Sequence, residues 1–215
     1  MTSSSTRKIR SLVKDRKLLN GRRDTLAEVA IGLFAAKGFD NVTVDDIAKS
    51  AHMSKGTIYN YIGCKEDFVF LILDNVNTDF YSKVKKNLKE HNAVKWTDVL
   101  REYMRAYLEM VDRKQDALNF LNHVVITLDR EKKKMVMATQ TERINEFEKI
   151  LVKGNKAGEF NIDDPKLMGH NIARVLSAWA SNNSQLCKFI TLDEYTEKQI
   201  SFLLKGLGIA LTSRN

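Results

Sequence analysis

Proline is almost absent. Pro165 is the only one in 215 residues, against a usual share of about 5%. It follows Asp163 and Asp164, where it starts a helix rather than breaking one, so long helices are permitted nearly everywhere. Cysteine is scarce too, and Cys64 and Cys187 alone do not make a disulfide framework. Cys64 beside Lys65 leaves two readings, a redox-sensing thiol or an incidental one, and the second is favoured. No apolar run approaches the roughly 18 residues that cross a bilayer. The basic N-terminus is not followed by an apolar segment, so neither a membrane helix nor a signal peptide is expected, and a cytoplasmic location is.

Signatures of catalysis and metal binding are missing as well. There is no G-x-S-x-G, Walker loop or dinucleotide fingerprint. The histidines, His52, His91, His123 and His170, form no H-E-x-x-H pattern. An enzyme, a metal site and a cofactor are therefore not expected. No internal repeat appears, and low complexity is confined to the termini.

What is present is a lopsided charge. Through Lys65 there are 12 Lys or Arg against 6 Asp or Glu, while the remaining 150 residues carry 23 against 21. The densest basic cluster lies at positions 7, 8, 10, 14, 16, 17, 22 and 23. Such a block reads as a solvated tail or, beside a nucleic-acid-binding motif, as an arm that contacts phosphates.

That motif lies between Thr43 and Lys65. Thr43 is a good N-cap, and Asp46 three residues on favours the first turn of a helix. Val44, Ile47, Ala48 and Ala51 form one face of a short helix from about 44 to 51. A turn at His52 and Met53 follows, and Ser54 caps a second helix. Gly56 in its first turn removes a side chain where a backbone could approach a phosphate. Ile58 and Ile62 form the inward seam, leaving Lys55, Thr57, Tyr59, Asn60 and Tyr61 as donors and hydroxyls for base edges and phosphates. An ordinary surface helix is the plain alternative, and the surrounding positive charge weighs against it.

These residues carry a resemblance. The run from Arg23 through the Gly38-Phe39 pair, Thr43 to Ala51, S-K-G-T-I-Y-N-Y-I from Ser54 to Ile62, and then Lys65, Glu66 and Phe68 resembles the DNA-binding domain of the TetR family of bacterial transcriptional regulators. Ile62 stands where that family usually has Phe, and Gly63-Cys64 is a further departure. The resemblance implies an all-α fold, with an N-terminal three-helix helix-turn-helix domain and a variable C-terminal helical bundle that binds a small effector. It also implies a dimer built through the last two long helices.

The rest of the chain fits about nine helices. A flexible basic arm is expected over 1–21, with a short amphipathic extension at Ile9, Leu12, Val13 and Arg16 before Gly21. A helix-turn-helix domain is expected over 22–65, and an effector-binding and dimerisation bundle over 66–215. The expected helices after the motif run over about 65–89, 96–111, 114–128, 130–156, 165–182 and 193–212, with breaks at Asn92, Asp112, Gly158 and the Asn182 to Ser184 cluster. The helices 165–182 and 193–212 carry apolar stripes suited to a homodimer, Leu167, Ile172, Val175, Leu176 and Trp179 on one and Ile200, Leu203, Leu204, Leu207 and Leu211 on the other, which also read as internal core. Tyr103, Met104, Tyr107, Phe120, His123, Met135 and Trp179 could line an apolar ligand cavity with polar handles, although such residues at helical spacing also make plain core.

The function expected is a homodimeric, ligand-responsive transcriptional regulator, most simply a repressor, that binds a palindromic double-stranded DNA operator and is released by an unidentified small-molecule effector. Tyr59, Tyr61 and Lys65 would hold phosphates, Thr43 would add a contact, and Lys55, Thr57 and Asn60 would reach bases, with Ser54 and Gly56 opening the helix. Two alternatives stand: a regulator whose bundle only dimerises or binds a protein, and a helical-bundle enzyme or carrier in which the basic N-terminus is incidental.

Overall fold

The computed structural model describes Ile9, Leu12, residues 15–91 and residues 93–209. Among these residues the chain is all-α, with nine helices: α1 Arg16–Lys37, α2 Val44–Ser50, α3 Lys55–Tyr59, α4 Asp67–Glu90, α5 Trp96–Arg113, α6 Gln115–Val124, α7 Arg130–Lys156, α8 Pro165–Leu186 and α9 Leu192–Gly206. They form two compact units, Met1–Thr78 with Asp116–Thr139, and Asp79–Gln115 with Gln140–Asn215. The divisions fall inside α4, after the first residue of α6, and inside α7.

In the first unit α1 packs on α2 and α2 on α3. Leu26, Ala27, Ala30 and Phe34 of α1 are buried with Ile47 of α2 and Ile58 of α3. Each fully buried Leu, Ile or Phe contributes about 1.5–3 kcal/mol. Phe34 also stacks on Phe120, with ring centroids 4.8 Å apart, so α6 belongs to this core.

In the second unit α5 packs against α8 and α9. Phe80, Tyr103, Tyr107 and Phe147 meet edge-on or tilted, 4.8–6.0 Å between centroids, a geometry the ring quadrupoles favour. Lys95, the N-cap of α5, makes no side-chain cap. Glu159 supplies it from elsewhere, its two carboxylate oxygens accepting from Trp96 N and Thr97 N at 3.0 Å each. The turn after α7 is closed by Asn155, whose side chain donates to Ile162 O at 2.7 Å and accepts from Ile162 N at 3.0 Å.

Several boundaries differ from expectation for identifiable reasons. Helix α1 starts at Arg16, not near Arg22, because Asp15 Oδ1 accepts from Lys17 N and Leu18 N at 2.9 and 3.1 Å. That cap outweighs the helix cost of Gly21, about 1 kcal/mol, so residues 16–21 of the expected arm are helical; Val13 lies outside the described residues. Helix α5 runs through Asp112, and α6 stops at Val124 rather than Leu128. Helix α8 runs through the Asn182 to Ser184 cluster to Leu186. There Asn182 donates back to Ala178 O at 2.8 Å within the continuing helix, and Asn183 donates to Gln115 Oε1 at 2.6 Å, so the Asn183 amide does not compete for the local backbone. Most of the two apolar stripes is internal core: Ile172, Leu176 and Trp179 on α8, and Ile200, Leu203 and Leu204 on α9, are buried. Leu167 and Phe202 remain exposed, Phe202 at 65%. Leu211 and the expected end of the last helix lie outside the described residues.

The packing of the second unit can be tested at two positions. A Cβ on Gly169 of α8 would lie 2.9 Å from Glu148 N, a backbone atom of α7. Gly169→Ala should therefore lower stability by about 1–3 kcal/mol in urea unfolding, and an unchanged midpoint would show that the two backbones are not held at this spacing. Burial disfavours the charge on Glu159, but hydrogen bonds from Trp96 and Thr97 outweigh it and hold its carboxyl below the ordinary 4.5. Its contribution is thus complete above the unfolded-state value and lost as pH falls through the depressed one. Glu159→Gln should cost about 1 kcal/mol at neutral pH, with the gap to the unchanged protein narrowing in acid; a pH-independent gap would contradict the charged cap.

Candidate nucleic-acid interface

The helix-turn-helix is built by reciprocal caps. Thr43 Oγ1 accepts from Asp46 N at 3.1 Å, while Asp46 Oδ2 accepts from Thr43 N at 2.8 Å and Thr43 Oγ1 at 2.6 Å. These bonds, the side-chain one first, hold the Asp46 carboxyl below its ordinary value. After α2 the chain turns through His52, at φ 54°, a left-handed conformation uncommon for a residue with a side chain. Met53 N then donates to Ala48 O at 2.9 Å. Ser54 Oγ accepts from Thr57 N at 3.1 Å, and the two hydroxyls lie 2.8 Å apart.

Helix α3 has only five residues, fixed from beneath by buried Ile58 and Ile62. Lys55, Gly56 and Tyr59 are exposed, Tyr59 at 43%, and Thr57 and Asn60 are half-buried. Tyr61 is a correction. It is only 7% exposed, so its ring belongs to the core and does not join Tyr59 on the outer face. Lys65 is half-buried and already engaged: its Nζ donates to Asp40 O at 3.3 Å and sits 4.5 Å from the centroid of Phe39, which ties the loop after α1 to the end of the motif.

The turn leading to α4 is closed by buried Asp67, whose Oδ2 accepts from Gly63 N at 2.7 Å and Cys64 N at 3.2 Å. Burial and a hydrogen bond to Glu66 push the Cys64 thiol up, which disfavours the thiolate that a redox sensor uses.

The five residues expected to form a ligand site are divided between the two units. Phe120 and His123 belong to the first unit and Tyr103, Tyr107 and Trp179 to the second. His123 is exposed, its Nδ1 2.6 Å from Asn119 O. Tyr103 donates to Arg143 O at 3.0 Å, Tyr107 Oη lies 3.2 Å from Ser177 Oγ, and Trp179 Nε1 donates to Asp112 Oδ1 at 2.7 Å. Their polar tips tie helices together. Met104 is buried core and Met135 is half-buried.

Sequence reasoning missed Arg143. It is buried on α7 among the phenols of Tyr107, Tyr81 and Tyr103, and burial pulls its guanidinium below its ordinary value. Burial also pushes the Tyr81 phenol up to about 12. The signal was present, because Arg143 falls in phase with buried Val136, Phe147 and Ile150. Among the described residues no group of three or more His, Cys, Asp or Glu could hold a metal ion, and no helix is long and apolar enough to cross a membrane.

Two short capped helices around a tight turn, with a basic and polar outer face, define a helix-turn-helix DNA-binding protein. Residues 26–72 match the family described as bacterial regulatory proteins, tetR family, and residues 93–181 match the tetracyclin repressor-like C-terminal domain. The chain belongs to the TetR family of bacterial transcriptional regulators. It is 26% identical over 205 residues to the HTH-type transcriptional regulator HbdR of Aromatoleum sp. (strain CIB), covering 95% of this chain and 89% of that protein. It is 25% identical over 190 residues to the HTH-type transcriptional repressor KstR2 of Rhodococcus jostii (strain RHA1), covering 88% and 92%. Among solved structures it superposes on AibR in complex with isovaleryl coenzyme A and operator DNA, with a TM-score of 0.67, 18% identity and 84% and 97% of the two chains covered; that likeness shows the fold.

Asp67→Ala would leave two amides of the α3–α4 turn without their acceptor. It should lower stability by about 2 kcal/mol and weaken DNA binding with it. Full stability in a thermal melt would show that the turn is held by other means.

Proposed function

We propose that this protein is a homodimeric repressor that binds a palindromic operator and leaves it when a small effector occupies the helical bundle. The observation that carries the reading is the exposed face of α3, with Lys55, Gly56 and Tyr59 outward on a helix fixed by Ile58, Ile62 and the Ser54 cap. Tyr59 and Lys65 hold phosphates, with Lys65 exchanging its bond to Asp40 for one to DNA. Thr43 adds a contact at the start of α2, and Lys55, Thr57 and Asn60 face bases. Ser54 and Gly56 let the backbone approach. The exposed Leu167 on α8 and Phe202 on α9 support a dimer through these helices. In such a dimer the two α3 helices enter major grooves about 34–36 Å apart. That KstR2 is named a repressor supports repression, and the AibR complex, which holds isovaleryl coenzyme A and operator DNA together, supports an effector-linked switch. Effector and operator must weaken each other's binding by the same factor.

One observation favours a second reading, a bundle that dimerises without a ligand. The polar tips of Tyr103, Tyr107 and Trp179 are all bonded within the chain.

Selection of genomic fragments on the purified protein, repeated at rising salt, tests the main reading. A recovered palindrome that survives salt is expected, and retention indifferent to sequence would overturn it. On the recovered duplex, Tyr59→Phe should weaken binding to all sequences alike, whereas Asn60→Ala should relax preference at one position by about 1–3 kcal/mol. The opposite pattern would reverse the two roles. Isovaleryl coenzyme A and related acyl thioesters are the first effector probes; release of the duplex by none of them, with no dependence on a cell extract of small molecules, would favour the ligand-free bundle.

A further inference from the structure

Arg23 of α1 does more than fill a position in the motif. Its Nε and Nη2 donate to Tyr61 O at 3.2 and 2.9 Å, and the same Nη2 donates to Ile9 O at 3.1 Å. One guanidinium therefore grips the backbone just after α3 and the backbone of the segment that precedes α1. A second bond joins the same two places, because Leu12 N donates to Asn60 O at 3.0 Å. The Ile9 side chain is itself buried. Ile9 and Leu12, three residues apart in the stretch before α1, are thus pinned to Tyr61 and Asn60, the two residues that follow the proposed recognition helix.

The two pinned residues carry no charge, Ile9 buried and Leu12 exposed, whereas the sequence around them is basic: Arg7, Lys8, Arg10 and Lys14. Pinning a cationic segment beside a DNA-reading helix restricts where its charge can go, and a preorganised segment gives up less freedom on binding than a free tail. Arg suits the clamp where Lys would not, since its planar fork can serve two carbonyls while a lysine offers a point charge on a flexible stem. Burial pulls the Arg23 guanidinium below its ordinary value, and the carboxylates of Asp74 and Asp67 oppose that in part.

We propose that Arg23 is a positioning residue that seats the segment through Ile9 and Leu12 against the end of α3, making that segment a second DNA-contacting element that binds the backbone flanking each half-site. The proposal rests on the reading of the protein as a DNA-binding regulator. It adds a contact outside the helix-turn-helix and assigns the residue that holds it in place.

The test uses the full chain and a mixed-sequence duplex of about 30 base pairs, with affinity measured across a range of salt. Replacing Arg7, Lys8, Arg10 and Lys14 together by Gln should flatten the salt dependence by about 0.9 in slope for each phosphate that is no longer neutralised. Arg23→Lys keeps the charge but removes the fork, and it should flatten the slope by a similar amount. Adding Arg23→Lys to the fourfold variant should change little further, because both act on the same phosphates. An unchanged slope in the fourfold variant would overturn the proposal, as would an Arg23→Lys effect that persists undiminished in that background, since Arg23 would then act on α3 alone. Should Arg23→Lys fail to fold by circular dichroism, the fourfold variant and hydroxyl-radical footprinting on the palindrome recovered by the genomic selection decide. Protection beyond the half-site that disappears with the four cations supports the proposal, and protection that remains overturns it. Failure of the regulator reading looks different: no sequence preference in the genomic selection, with the slope difference intact.

Discussion

A five-residue helix cannot hold its own shape. Isolated helices shorter than about 12–15 residues are marginal in water, yet α3 must present a fixed surface. Much of the first unit is arranged around that constraint. Ser54 ties down one end of α3, Ile58 and Ile62 anchor its underside, and Arg23 takes the carbonyl of Tyr61 beyond its other end. Asp67 fixes the turn that follows. The supporting helix α2 has only seven residues and depends on its own capping box. Holding so short a helix uses up many of its groups: Ser54 and Thr57 bond each other, and Ile58, Tyr61 and Ile62 are buried. The outer face that remains is small, so a contact from the segment before α1 adds much to it.

What is legible in the sequence is local. The caps at Thr43 and Ser54 depend on residues three apart, and both occur as read. Helix α7 has the bounds its periodicity implies. The departures come from interactions over longer range. Gly21 reads as a boundary, but a cap six residues earlier decides where α1 begins. The Asn182 to Ser184 cluster reads as a break, but Asn183 finds Gln115 across the unit. Tyr61 departs for a different reason: α3 ends at Tyr59, so helical spacing does not decide which way the residue two places beyond it faces, and its ring is buried.

The polar tips of Tyr103, Tyr107 and Trp179 are taken up by hydrogen bonds, which no pattern of residue types reveals. A buried hydroxyl or indole needs a partner, and here each finds one inside the chain: Tyr103 on α7, Tyr107 on α8, Trp179 on α5. These bonds run between helices, so they hold the bundle rather than open it. An effector that used one of these tips would have to replace the bond it breaks, at about 1–3 kcal/mol for a buried group left unpaired. Such a replacement would also loosen the pairing of two helices. Binding at one of these tips would therefore be coupled to repacking of the unit through the same few atoms.

The glycines separate what the fold requires from what it does not. At Gly154 an added Cβ would run into the ring of Phe160, and at Gly169 it would meet the backbone of Glu148, so both are explained by packing within the chain. At Gly56 the same atom would meet only Ser54 Oγ, at 3.8 Å, and φ there is not in the left-handed region. Alanine would fit and would favour the helix by up to about 1 kcal/mol. Among the described residues nothing accounts for glycine at that position, on the exposed first turn of α3. A surface brought close from outside would account for it, and the phosphate backbone of DNA is the surface that a helix-turn-helix brings there.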